Sequence, residues 1–318
     1  MEDKLIKNYF EILGNKKKDE RIFCVLENKK SRRSIIFQKG DKSAIRFMKN
    51  KSSSFVKRLG YFLIKLRIFQ IFLKKIKLNP SIGQLVFFGG QTKIFDFNRG
   101  TVTSFMRGPG WEKSFIKNKK DQIRLSKKGF APKIIKLNKK IPFCVEELLK
   151  GGSKIVEEDT FRKLIKYYET QRKKKILYSS YINKMEKKKT FNELPSFLKE
   201  ELKKIKSKRG FFYVLKIHGD FGKDQVLLRN NEILFTDWQI REGLILEDLF
   251  EFFKEDKILF RNKKFKNLLK MFPKEVSENV KDYFIVSQSN LFLSDSISFE
   301  DLLERARFLS FAPKNHPK

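Results

Sequence analysis

Ile217-His218-Gly219-Asp220-Phe221-Gly222-Lys223-Asp224-Gln225-Val226-Leu227-Leu228 decides how the chain is read, together with Phe235-Thr236-Asp237-Trp238. The apolar run Phe211-Phe212-Tyr213-Val214-Leu215 before it has the composition of a strand. Gly219 and Gly222 then mark a loop. Gln225 to Arg229 and Glu232 to Thr236 form a hairpin around Asn230-Asn231, two residues that tolerate the left-handed conformation. Asp237 ends the second hairpin strand, which carries it back beside the loop. One strand–loop–hairpin unit therefore delivers two carboxylates, Asp220 and Asp237, and one amide, Gln225, to one place. Phosphoryl transfer asks for such a set. A carboxylate must orient the attacking hydroxyl and accept its proton, and oxygen ligands must hold Mg²⁺ against the nucleotide phosphates.

Working outward, the chain of 318 residues can hold one large domain or two modest lobes. Its 34 Phe make much of the core aromatic. Residues 1 to about 80 mix short apolar runs with Lys-rich breaks. Within them Phe55 to Ile76 is expected to be a helix, with Leu59, Phe62, Leu63, Leu66 and Leu73 near one face. It docks on the rest of the protein or, in a second reading, lies as a basic helix on an anionic membrane. Strands are expected at Leu85 to Phe88, Lys93 to Phe97, Thr101 to Met106 and Lys133 to Leu137. A charged helix is expected from Phe115 to Lys128, ending at Gly129 before Pro132. Long helical patterns follow, from Asp159 to Lys188 and from Asn192 to Lys206, and more come after residue 244. No internal repeat is present.

The formal charge is +35. Of the 72 basic residues only 17 are Arg, the side chain suited to bidentate phosphate and base readout. The excess is therefore read first as a solvated Lys surface and second as an attraction to anions. No nucleic-acid-binding signature appears, which argues against nucleic acid as a partner. Cys24 and Cys144 are too few and too far apart for a disulfide framework or zinc site, so a reducing, cytoplasmic compartment is expected. Met1 to Gly14 is charged throughout, with no secretory apolar stretch, and no apolar run reaches membrane-spanning length.

His218-Gly219-Asp220, four intervening residues, an amide at Gln225, a hairpin and Asp237-Trp238 resemble the catalytic loop and metal-binding segment of aminoglycoside phosphotransferases and choline kinases. Glu247-Asp248-Leu249-Phe250 is similar to the acidic run that follows there. The resemblance covers about residues 83 to 260. It implies an α+β, two-lobed protein-kinase-like fold. Residues 1–82 would be an N-terminal extension, 83–142 a small β-rich N-lobe and 143–318 a larger, mostly helical C-lobe with its catalytic loop at 217–238. It also implies ATP and Mg²⁺ as cofactors and a small-molecule hydroxyl as acceptor. Asp220 would be catalytic and His218 would brace the loop by hydrogen bonding or act as base, with Gln225 and Asp237 as metal ligands. Gly89 and Gly90 resemble the turn over the nucleotide phosphates, where backbone N–H groups approach closely. Val145 to Gly152 resembles the hinge, where Glu147 and Leu149 would offer backbone groups to adenine. Lys223 is a phosphate or substrate contact, or else a solvated lysine.

Three positions depart from the family pattern. Gln225 stands where the loop normally carries Asn. The third N-lobe strand normally offers a Lys to the phosphates; the nearest base here is Arg107. The Glu that pairs with that Lys from the helix is replaced by Asn118-Lys119, with Glu112 the nearest acid. These departures motivate a second reading, a pseudokinase that binds nucleotide without turnover.

Overall fold

A computed structural model describes residues 21–28, 33–51, 64–65, 68–71, 73–78, 83–88, 91–106, 112–139, 142–151, 157–254 and 259–306. The chain divides into two units, Met1–Lys154 with Val226–Thr236, and Ile155–Gln225 with Asp237–Lys318.

The first unit is built on an antiparallel sheet. Its strands are β1 (Arg21–Asn28), β2 (Arg33–Gln38), β3 (Lys74–Leu78), β4 (Leu85–Phe88), β5 (Gln91–Asp96), β6 (Thr101–Met106), β7 (Ile134–Asn138) and β8 (Phe143–Glu147). They are ordered β3-β1-β2-β4-β5-β6-β8-β7. Side chains alternate between its two faces, because successive residues of a strand point opposite ways. Phe23, Val25, Ile36, Val86, Ile94, Phe105 and Phe143 form one cluster. Cys24, Phe37, Leu85, Phe95 and Val102 form the other, against Ala44, Ile45 and Met48 of helix α1 (Lys42–Lys51). Phe23 and Phe37 are fully buried, and each contributes about 1.5–3 kcal/mol over an exposed position. A second helix, α2 (Glu112–Lys127), buries Phe115, Lys119, Gln122 and Leu125 at helical spacing. A small sheet pairs β9 (Lys150–Gly151), β12 (Val226–Arg229) and β13 (Glu232–Phe235).

The second unit is mostly helical. Its helices are α3 (Glu157–Glu169), α4 (Tyr178–Glu186), α5 (Ser196–Ser207), α6 (Glu247–Phe252), α7 (Lys263–Leu269), α8 (Lys274–Glu278), α9 (Val280–Phe292) and α10 (Phe299–Ala306). They surround a sheet of β10 (Lys174–Leu177), β11 (Phe211–Ile217) and β14 (Arg241–Leu244), with β11 in the centre. The content is α+β, as expected. No described helix is long and apolar enough to cross a membrane.

Two expected helices are corrected. The pattern over Asp159 to Lys188 is α3, then strand β10, then α4. Five polar residues, Gln171 to Lys175, interrupt it. Successive like charges weaken a helix, and Lys174–Leu177 pairs with β11 instead. The Phe55–Ile76 helix also fails at its end. Ile68–Ile71 is a 3₁₀ turn and Lys74–Leu78 is a strand paired with β1. Lys75-Ile76-Lys77 alternates with period two, and Ile76 packs on the first cluster while its neighbours face outward. Phe55 to Leu63 lie outside the described residues. Three of the eight large-sheet strands thus come from the segment expected to be an extension.

Candidate active site

Central strand β11 ends at Ile217, and the loop that follows is fastened from below. Asp248, at the start of α6 and 1 % exposed, accepts the His218 N–H at Oδ2 (2.8 Å) and the Gly219 N–H at Oδ1 (3.0 Å). The Tyr168 hydroxyl donates to the same Oδ2 (2.7 Å). Three donors around a buried carboxylate hold the loop backbone in one register. Glu247 beside it is also buried. It takes Arg241 as its ion-pair partner and accepts the Leu244 N–H (3.1 Å). Burial pushes the Glu247 carboxyl up, and Arg241 opposes that.

The segment bearing Asp237 runs along this loop. The Gln239 N–H donates to the His218 carbonyl (3.0 Å), and Gln239 Nε2 donates to Asp220 Oδ2 (3.2 Å). The approach is so close that a Cβ on Gly219 would lie 2.3 Å from the Gln239 carbonyl oxygen. Gly219 has φ +90°, a region that suits glycine. Asp237 has φ 58°, a costly value for a residue with a side chain and one that marks a position held by its surroundings. The hairpin turns through Asn230 (φ 48°) and Asn231 (φ 67°), as the sequence leads one to expect.

His218 is fully buried, its ring between Phe221 (centroids 5.2 Å apart) and Trp238 (4.5 Å). That packing is a brace: it fixes the loop and keeps the imidazole from solvent. Asp220 is half-buried, and its carboxyl is raised above the ordinary range by that burial. Lys254 and His218 oppose the rise, and Glu251 and Asp224 add to it. Gln225 Oε1 accepts the Gly222 N–H (2.8 Å). A carbonyl oxygen has two lone pairs, so one remains for a metal ion. The Asp237 carboxylate and the Gln225 oxygen would make a donor set of the hard-oxygen kind Mg²⁺ prefers. The residues therefore fit such an ion. Lys223 is held by Glu157 (3.5 Å) over the rings of Phe252 and Phe253.

In the first unit Gly89, Gly90 and Arg107 lie outside the described residues. The Glu147 carboxylate accepts the Lys133 N–H (2.6 Å) and Arg229 Nη1 (3.1 Å). The Glu147 and Leu148 N–H groups are taken by the Lys133 and Gly100 carbonyls. Leu149 is buried, with no backbone partner for its N–H among the described residues. The strand–helix ion pair that the sequence left open would involve Arg107, outside the described residues; a different pair joins the helix to β8. Lys119 of α2 meets Glu146 of β8 at 3.3 Å, both buried, and Gln122 bonds to each of them. Helical spacing from Phe115 puts Lys119 on the inner face; nothing local names Glu146 as its partner. Gln239, Tyr168 and Lys254 were also missed, since no motif marks them.

No protein-family model matches the chain, and no curated protein does. Among solved structures it is similar to choline kinase LicA from Streptococcus pneumoniae, at 15% identity and a TM-score of 0.46, over 70% of this chain and 88% of that one. A choline/ethanolamine kinase family protein from Mesorhizobium loti is similar at 13% identity and a TM-score of 0.44, over 71% and 83%. Macrolide 2'-phosphotransferase MphH from Brachybacterium faecium is similar at 11% identity and a TM-score of 0.45, over 71% and 90%. At such identities the likeness assigns neither substrate nor activity.

Proposed function

We propose that the chain is a phosphotransferase that moves the γ-phosphoryl group of ATP to the hydroxyl of a small molecule. One observation carries this reading. Asp220 and the Asp237–Gln239 segment are bound to one loop, and Asp248 fastens that loop beneath them.

Asp220 hydrogen-bonds the acceptor hydroxyl and takes its proton as the acceptor oxygen bonds to the γ-phosphorus and the bond to ADP breaks. Its raised carboxyl is a better proton acceptor than a solvated one, and Lys254 and His218 favour its ionised form. Gln239 holds the second lobe of the carboxylate, so its orientation is set before the acceptor arrives. Asp237 and Gln225 would hold Mg²⁺, which when bound neutralises charge on the phosphates. Most of the rate gain is positioning and charge stabilisation. Glu147 and Leu149 would face adenine, and Gly89, Gly90, Arg107 and Lys223 the phosphates. The strongly positive surface suits a neutral or anionic acceptor, a sugar or a phosphate-bearing glycan or lipid precursor, better than a cation. The two cysteines, free and buried, suit a reducing compartment such as the cytoplasm.

The test is ATP consumption against a panel of hydroxyl acceptors, with Asp220→Asn as control. A protein that neither binds ATP–Mg²⁺ nor loses turnover on that substitution refutes the reading. A second reading is favoured by the Gln225 carbonyl, already engaged by Gly222. It is a nucleotide-binding protein without turnover, and its mark is a stability gain with ATP but no consumption of ATP against any acceptor.

A further inference from the structure

The positive charge is not spread evenly. Residues 21–82 hold 17 Lys and Arg against two acids, Glu27 and Asp41, whereas the rest of the chain holds 55 against 35. A fifth of the protein therefore carries +15 of the +35.

The structure gathers much of this charge on one side of the sheet. Register sets Ile22 opposite Lys77 and Cys24 opposite Lys75, so Ile22, Lys75 and Lys77 share the face on which α1 packs. Lys39 donates its N–H to the Ile22 carbonyl (2.9 Å). Gln70 Oε1 accepts the Gly40 N–H (3.2 Å), which brings Ile71 to the same place. Helix α1 buries Ala44, Ile45 and Met48 and exposes Lys42, Arg46 and Lys49 at i, i+4 and i+7. Asp41 is turned inward to cap the Ala44 N–H (2.7 Å). Among the described residues none of Lys39, Lys42, Arg46, Lys49, Lys75 and Lys77 forms an ion pair. Within this cation field Ile22 and Ile71 are 42% and 62% exposed.

We propose that this face docks on an anionic lipid bilayer. Lysines on an edge strand can serve only to block pairing with another sheet. That accounts for Lys75 and Lys77 on β3, but not for Lys39, Lys42, Arg46 and Lys49, nor for the scarcity of acids. Cations around exposed aliphatic side chains match a charged headgroup layer over an apolar one. Single-stranded nucleic acid would call for exposed rings on which bases stack. Phe23 and Phe37 are instead fully buried. This inference is independent of the catalytic reading.

The test is sedimentation of the full chain with phosphatidylcholine vesicles, with and without phosphatidylserine. Binding is expected only with phosphatidylserine. It is expected to fade as salt rises from about 0.1 M to about 1 M and the screening length falls from about 10 Å to about 3 Å. Lys39→Gln, Lys75→Gln and Lys77→Gln together lower the partition coefficient about 100-fold, at about fivefold per lysine. Ile71→Ser lowers it about threefold to tenfold while leaving the salt dependence unchanged. The exposed lysines Lys187, Lys203 and Lys266 of the second unit, changed to Gln, leave binding within about twofold. Equal binding to neutral vesicles overturns the proposal. So does an equal loss from the second triple variant, and so does binding to a nucleic-acid duplex with none to vesicles.

Discussion

Replacing Asp248 by Asn keeps the shape of the side chain and removes its charge. The carboxylate now accepts from two donors at Oδ2 and one at Oδ1. An amide has one oxygen and one NH₂, so whichever way it turns, at least one of these donors faces another donor. If the oxygen keeps His218 and Tyr168, the Gly219 N–H is orphaned in a half-buried place, at a cost of about 1–3 kcal/mol. The two remaining bonds lose their charge assistance, about 1 kcal/mol each. Removing a buried charge returns part of this. The net expectation is a loss of about 3 kcal/mol, with Asp248→Ala costing about 4 kcal/mol or more because three donors are left. Tyr168→Phe should cost about 1–2 kcal/mol in the wild type and less beside Asp248→Asn, since the bond it removes is already weakened. Two units make a single unfolding midpoint a poor readout, so amide exchange at the loop is the better assay. Exchange of the His218 and Gly219 amides should speed up by about 100-fold in Asp248→Asn. Protection within twofold of wild type, with stability changed by under about 0.5 kcal/mol, would refute the account of how the loop is held.

Gly219→Ala combines a left-handed backbone with a Cβ 2.3 Å from the Gln239 carbonyl oxygen. A loss of at least about 2–3 kcal/mol, seen in denaturant titration of the second unit, is expected. Lys119→Met leaves Glu146 buried with only Gln122 and should cost about 3–5 kcal/mol, while adding Glu146→Gln should recover most of it; thermal melts of the three proteins decide this. Asp220→Asn should stabilise the fold at neutral pH. The Asp220 carboxyl is raised in the folded state, chiefly by burial, so its ionised form is the disfavoured one. The gain should shrink as pH falls through the ordinary carboxylate range, where wild-type Asp220 becomes protonated in both states; a pH series of melts that shows no such convergence contradicts the stated environment.

The parts legible in the sequence were those whose cause is local. Asn230 and Asn231 accept positive φ whatever surrounds them, and the flanking runs are apolar, so the hairpin is legible. Strand β6 was read with its ends in place for the same reason. What stayed hidden depends on distant partners. β3 joins β1 across some fifty residues, and the Lys-rich text of that segment suits a strand edge as well as a helix face. The same holds within the site. Asp220 and Asp237 announce themselves by motif, but the groups that orient the loop come from Tyr168, eighty residues from the Asp248 it bonds, and from Gln239, which no motif marks.

The Lys119–Glu146 ion pair shows that α2 is joined to the sheet without the strand lysine the sequence pattern would call for. A lysine on a strand and a glutamate on a helix are one way to link α2 to the sheet. Lys119 and Glu146 link α2 to β8 instead, and not to β6, the strand expected to carry the base; the attraction depends on opposite charge and distance and not on which strand supplies the partner. This link leaves the positive group on the helix. A lysine borne by the strand can reach beyond the pair, whereas Lys119 is 5% exposed and engaged by both Gln122 and Glu146. The pair thus accounts for the placing of β8, and of the Glu147–Leu149 backbone that follows it, without supplying a cation to the phosphates. If the chain transfers phosphoryl groups, that charge must come from another residue, and Lys223 is a described base in the loop after β11. Among the described residues it is held by a contact of 3.5 Å to Glu157 and by two ring faces. Its release from Glu157 on binding nucleotide costs little, since exposed ion pairs of this kind are worth about 0–1 kcal/mol.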